Sequence, residues 1–448
     1  MEEISMTQKQ DGKSAPVVVR NEAPSNSHLT ELKPTQDELS PVVGKPQTKL
    51  EFTEHGTEEN SSIFWNCIIL STTSFPLGWD VGTMGNLIIS NHFPFHNLAD
   101  LQTGLLISSF NIGCLIGCLT LARISTYVKL RTLIHSASLF YLVGTILEMF
   151  SLHYPYLWLF VAGRLICGIN CGTLCAVGPM YMLEVMGENF PRRDLYFSMW
   201  QSEVCISILV GNVLSVLQPN IYPTVVEISK IIFVILLDTL ICTVPDLKHP
   251  TQDDARESKA FKITVLEHFP EGNSQLLKCC LVMSFQQLTG INYFFYFGSI
   301  VFASPLACIF MSLVNLIGSF SSGFVLQYLG LKHVLAVCSF LMALVMGAYA
   351  MMGILSSSQH QVLIILSMVF ILLFSLSWGP GSGILNNLLS KNDPKIISVA
   401  VSLNWITNWF VAIITPTMIK LLGFSYGFFF ACNLVAMGCF IMKFIPRH

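Results

Sequence analysis

Charge is scarce in this chain of 448 residues: Asp, Glu, Lys and Arg make up 11% of it, against 52% apolar residues. Mean hydropathy is +0.61. A soluble domain carries about 25% charged residues, so the composition excludes that class and indicates a polytopic membrane protein. The formal net charge of −3 offers no basic surface for a nucleic-acid partner. The 14 cysteines lack C-x-x-C spacing. Many sit inside apolar runs, as Cys114, Cys118, Cys167, Cys171 and Cys175 do, and Cys279 and Cys280 are adjacent. They are therefore read as small packing residues rather than metal ligands. No nucleophile–base set and no phosphate-cradling glycine loop stands out, so neither an enzyme nor a cofactor is expected. No apolar stretch follows Met1, so no cleavable signal peptide is expected and the first spanning helix serves as the targeting element.

Residues 1–60 are rich in Glu, Lys, Ser, Thr, Gln and Pro and nearly free of aromatics. Such a segment buries too little apolar surface to offset ordering and is expected to be a disordered tail. Beyond it, a hydrocarbon thickness of roughly 30 Å, or about 20 helical residues, divides the chain into about twelve spans. They lie near 63–89, 101–122, 132–152, 156–182, 197–217, 225–244, 276–302, 304–328, 333–354, 362–389, 396–421 and 424–445. The sixth is interrupted by Glu227, Lys230 and Asp238. Lys and Arg gather in the loops after spans two, four, six, eight and ten, while the segments 89–100, 153–155, 303 and 355–361 contain none. Lys230 and Lys420 are the only basic residues near the other ends. The bias places both termini in the cytosol. The hydrophilic stretch 246–275 then divides an N-terminal six-helix bundle, 61–245, from a C-terminal one, 276–448, with a solute path between them.

The most informative segment is polar: Gln286-Gln287-Leu288-Thr289-Gly290-Ile291-Asn292, set in an otherwise apolar span. A carboxamide left without partners in hydrocarbon costs roughly 2–7 kcal/mol. A cavity lined by neutral amides suits an uncharged, polyhydroxylated solute. On a straight helix Gln286 and Asn292 would point about 240° apart, and Gln287 and Asn292 about 140° apart. A break near Thr289-Gly290 would let all three face one cavity. The other reading of these amides is interhelical hydrogen bonding, worth about 0.6–2 kcal/mol per contact in membranes.

Several motifs, in order, carry a family resemblance. They are GWDVGTMGN in the first span, TGLLISSFNIGCLIGC in the second, and Gly163-Arg164-Leu165-Ile166 with PMYMLEV in the fourth. QQLTGINYFFYFGSIVF in the seventh, Trp378-x-Pro380 in the tenth and Asn404-Trp405 in the eleventh complete the set. From about residue 63 to 446 the chain resembles the sugar porters of the major facilitator superfamily, most closely the yeast-type hexose transporters. The resemblance implies an all-α membrane protein of the major facilitator fold, with twelve transmembrane helices in two six-helix bundles. It implies transport of a hexose or related sugar or polyol by alternating access, with facilitated diffusion favoured over proton symport. It further implies a sugar site of Gln201, Gln286, Gln287, Asn292, Asn315, Asn404 and Trp405, with Tyr296 and Phe297 closing an outer gate. Asp80 and Arg164 are charges in apolar surroundings, read either as a static ion pair or as the proton-coupling pair of proton-coupled sugar porters. Trp405 is read as a stacking face for a pyranose, or as a core aromatic. The partners implied are a small neutral sugar or polyol and the lipid bilayer, with a monomeric transport unit in the plasma membrane.

The chain departs from the family in its loops. Ser125, Thr126, Lys129 and Leu130 replace most of the charged motif after span two, leaving Arg131. Gln327, Tyr328 and Leu331 replace three charges around the end of span eight, and Leu388 replaces the span-ten glutamate. Gly383 stands where the family has a bulky aromatic, which enlarges the inner end of the site. In the family these charges form a lattice that holds the outward-facing state, so their loss is expected to bias the protein inward or slow its cycle. A transport-impaired homologue acting as a sugar sensor or interaction protein is the alternative reading.

Overall fold

The computed structural model describes residues 54–96, 98–124, 128–187, 193–246, 272–302, 304–355, 360–391 and 393–445. Residues 1–53, most of the linker 246–275, and Ser125 and Thr126 lie outside them. Helices fill the described chain. The first span is α1 (Glu54–Ser71) and α2 (Phe75–Ile89), joined by a 3-10 turn. Then come α3 (Asp100–Ile124), α4 (Leu130–His153), α5 (Leu157–Met186), α6 (Arg193–Leu217) and α7 (Tyr222–Ile241). In the second half the seventh span is α8 (Gly272–Leu288) with α9 (Ile291–Phe302). It is followed by α10 (Pro305–Leu329) and α11 (Leu331–Leu355). The tenth span is α12 (His360–Leu376) with α13 (Trp378–Ser390), and α14 (Pro394–Leu422) and α15 (Tyr426–Phe444) close the chain. α1 starts at Glu54, ahead of the expected 63.

Among the described residues, eight helical segments are long and apolar enough to cross a membrane by length and composition. The first, sixth and seventh spans are outside that set. The first and seventh are each broken into two helices, and the sixth carries charge. The break in the first span follows from its hydroxyls. Ser71, Thr72 and Thr73 bond back to the carbonyls of Ile68, Ile69 and Leu70 at 2.6–2.7 Å, just before Pro76. Such back-bonding bends a helix, and proline removes a backbone donor.

Each half has its own apolar core. One cluster runs through α8–α15, and another through α1 and α3–α7. α3 and α5 approach closely: a Cβ on Gly172 would overlap the Cys114 carbonyl, so only glycine fits there. The halves meet where α3 packs on α14, α6 on α10, and α2 on α9. Across the α6–α10 seam Asn212 donates to Ser312 at 2.9 Å, and Ser202 lies 3.3 Å from Ser319.

Glu227 and Lys230 of the sixth span face inward. Lys230 on α7 pairs with Glu227 at 3.0 Å and with Glu148 of α4, and all three are buried. Asp238 pairs with His135 at 3.1 Å. Lys230 thus lies inside the span, paired, and adds nothing to the charge of the loops. Lys420, the remaining basic residue at that end, pairs with Asp100 across the halves at 3.0 Å. Removing one partner of a buried ion pair strands the others. Lys230→Met is therefore expected to cost about 3–5 kcal/mol, seen as loss of monodisperse protein after a heat step in detergent; an unchanged heat profile would contradict the pairing.

Candidate functional site

A cavity of about 980 Å³ lies between the halves. Its walls run from Val81, Ile291 and Asn292 to Glu184, Gly187 and Asn387, and the exposure of Glu184 and Gly187 shows that it reaches one end of the bundle. That end carries the loops after spans four and ten. At the other end the halves are in contact. A Cβ on Gly85 of α2 would lie 2.7 Å from the Tyr296 carbonyl oxygen on α9.

The helix break at Thr289-Gly290 assembles the amides. α8 ends at Leu288, Gly290 has φ +89°, and α9 begins at Ile291. Thr289 Oγ accepts the Ile291 N–H at 3.3 Å and donates to the Gln286 carbonyl at 2.8 Å, capping the new helix. A Cβ on Gly290 would sit 2.6 Å from the Phe430 ring, so both dihedral angle and space require glycine. Turned by this break, Asn292 Nδ2 donates to Gln287 Oε1 at 2.8 Å. Gln287 Nε2 donates to Asn404 Oδ1 at 2.9 Å, and Asn404 Nδ2 donates to Gln286 Oε1 at 2.9 Å and to the Met283 carbonyl at 2.7 Å. Gln286 Nε2 donates to the carbonyls of Trp378 and Gly379, where α13 begins. These amides therefore line the cavity and also tie α8, α9, α13 and α14 together.

Gln201, Gln286, Gln287, Asn292, Asn315, Asn404 and Trp405 all line the cavity. Asn315 Oδ1 accepts from Ser375 at 2.5 Å. Trp405 is nearly fully buried and packs among the core residues of the first half. Tyr296 and Phe297 stand apart from the cavity wall, buried between α2 and α9 where the halves touch. Asp80 and Arg164 lie behind the wall. Their carboxylate and guanidinium meet at 2.7 Å, and Arg164 also donates to the carbonyls of Leu106 at 2.7 Å and Ile107 at 3.1 Å. Asp80 Oδ2 has no hydrogen-bond partner among the described residues.

Sequence reasoning missed Asn408 and the pair Asn386–Asn387, which also line the cavity. Asn408 follows Asn404 by one helical turn, a spacing visible in the sequence. The buried carboxylate of Glu148 was also missed, because its partner Lys230 is 82 residues away.

These features define the class: a helical membrane protein of the major facilitator fold, built around a central cavity with amides in its wall. A family model for sugar (and other) transporters matches residues 66–263 and 242–448, and the chain belongs to that family. Its relatives include hexose transporter HXT14 of Saccharomyces cerevisiae, 25% identical over 85% of each chain. The galactose transporter of the same yeast is 23% identical, covering 94% of this chain and 86% of its own. Among solved structures, the proton:xylose symporter XylE bound to 6-bromo-6-deoxy-D-glucose superposes with a TM-score of 0.72. It has 19% identity and covers 87% of this chain and 97% of its own. A partially occluded inward-open form of XylE from E. coli gives a TM-score of 0.71 at 21% identity, covering 86% and 98%. The protein is a multi-pass sugar transporter of this family rather than an enzyme.

Gly290→Ala tests the break. The strained dihedral is expected to cost on the order of 1–3 kcal/mol, lowering the unfolding temperature in detergent. Wild-type stability in that variant would show that the break is not held as described.

Proposed function

We propose that the chain carries a hexose or related sugar or polyol across the plasma membrane by alternating access, as facilitated diffusion. The relay through Gln286, Gln287, Asn292 and Asn404 is the observation that carries this reading. Its amides are neutral, clustered at mid-span and reached from one end of the bundle. Neutral donors and acceptors match hydroxyl groups without the desolvation cost of a charge. Gln201 and Asn315 line the same cavity, and Trp405 offers an apolar face for a sugar ring. The relatives named as hexose and galactose transporters point to the same solute class.

With both termini in the cytosol, the cavity faces inward. Tyr296 and Phe297 then close the outer end, and the Lys420–Asp100 pair bridges the halves there. The charges lost at Thr126, Gln327 and Leu388 act in the same direction, since they remove carboxylates that would hold the inner end shut. Facilitated diffusion is favoured by the setting of Arg164, which is fixed by two backbone carbonyls as well as by Asp80. A cation anchored on three sides is suited to a static pair. One chain contains the whole cavity, so the transport unit is a monomer.

Uptake of labelled hexoses by a hexose-transport-null cell expressing the protein tests this directly. Internal sugar should approach, and not exceed, the external concentration, and a protonophore should leave the rate unchanged. Gln287→Ala breaks two links of the relay and should lower uptake on the order of ten-fold at equal surface expression. No flux for glucose, fructose, mannose, galactose or polyols from protein at the surface would overturn the reading, and sugar binding without flux would favour the sensor.

A further inference from the structure

Glu203 is a carboxylate that the cavity does not use. It lies near the middle of α6 and within the apolar stretch Ser198–Leu217. The residues beside it turn to different neighbours. Gln201 lines the cavity, Ser202 lies 3.3 Å from Ser319 of α10, and Val204 packs against Gly78 of α2. At about 100° per residue, Glu203 stands about 160° round the helix from Gln201. It shares its face with Val210 and Leu217, which are 42% and 64% exposed. Glu203 is itself half-buried and stands outside the cavity wall. Among the described residues its carboxylate makes no ion pair and no hydrogen bond. Ser207 Oγ, one turn on, donates to the Glu203 backbone carbonyl at 2.9 Å instead. The buried cations of the bundle are engaged elsewhere, Arg164 by Asp80 and Lys230 by Glu148 and Glu227.

We propose that Glu203 is the docking point for a transmembrane helix of a partner protein, one that carries Lys or Arg at the same depth. An ionisable group facing lipid is costly and normally has a partner within the membrane. The complement of a carboxylate is a cation, and the helices around α6 do not supply one. Val210 and Leu217 continue the same face and give an incoming helix an apolar ridge to lie along. The ammonium group of a lipid sits at the bilayer surface, about 15 Å from the midplane, whereas Glu203 lies near mid-span. A second copy docking through the same face would bring another carboxylate and no cation. A basic residue borne on a helix meets both requirements, charge and depth. This surface is distinct from the cavity, and the assignment does not depend on which solute is carried.

The test uses the full-length protein, labelled at its N-terminus and reconstituted in phosphatidylcholine vesicles. The probes are labelled poly-leucine transmembrane helices with a single central Lys, Leu or Glu, and energy transfer reports association. The Lys helix should bind the wild type about three- to thirty-fold more tightly than the Leu helix, and the Glu helix no more tightly than the Leu helix. Glu203→Leu should abolish the preference for Lys while leaving the heat profile of the protein in detergent at least as high. Should that variant fail to fold, Glu203→Gln, which keeps the shape and removes the charge, is put through the same series and should lose most of the preference. Equal binding of the Lys and Leu helices by the wild type would overturn the proposal. So would a preference for Lys that persists in the variants, since another site would then be responsible. A preference lost once phosphatidylethanolamine is added would assign the carboxylate to a lipid amine and overturn the helix as its partner.

Discussion

A polar group in hydrocarbon must find its partner inside the protein, and the central architecture follows from that constraint. The amide run at 286–292 could not have met it on an unbroken helix, where Asn292 would point away from its neighbours. The chain stops one helix at Leu288, uses the left-handed dihedral of Gly290, and restarts at Ile291 with Thr289 as cap. The carbonyls of Trp378 and Gly379, at the start of α13, serve in the same place as acceptors for Gln286. Two broken spans thus satisfy each other, and α14 supplies Asn404 to join them.

The same constraint explains the charged spans. Glu148, Glu227 and Lys230 are costly in lipid and unremarkable when turned together between α4 and α7. Asp80 and Arg164 follow the same rule between α2 and α5. These contacts lie wholly within the first half. The polar contacts between the halves are of another kind, hydroxyl and amide pairs at α6–α10 and an exposed ion pair at Lys420–Asp100, beside the backbone approach at α2–α9. Among the described residues the buried ion pairs thus lie inside one half, while the halves join through neutral polar pairs, one exposed ion pair and apolar packing.

Much of this was legible in the sequence, and what was not has a common cause. The fold, the break at Thr289-Gly290 and the amides on spans five, seven, eight and eleven could be read, because each rests on local pattern or on motif order. Asn408 could have been read from its one-turn spacing after Asn404. The sixth span looked doubtful because its charges were visible and Glu148, far away in the chain, was not an evident partner. Pairing between distant residues in space leaves no local trace in a single sequence. The same holds for amide orientation, which depends on backbone carbonyls that only the folded chain brings near.

A relay whose members satisfy one another also bears on how tightly a sugar can be held. A hydroxyl that binds such amides takes the place of water, so the net gain per contact is small. A facilitator must also return empty, and its unloaded cavity must survive closure without stranded polar groups. Amides already paired across α8, α9, α13 and α14 meet that requirement with no solute present. On the proposed reading, an arrangement that lowers affinity also keeps loaded and empty forms within a few kcal/mol of each other, as diffusion without a coupled ion requires.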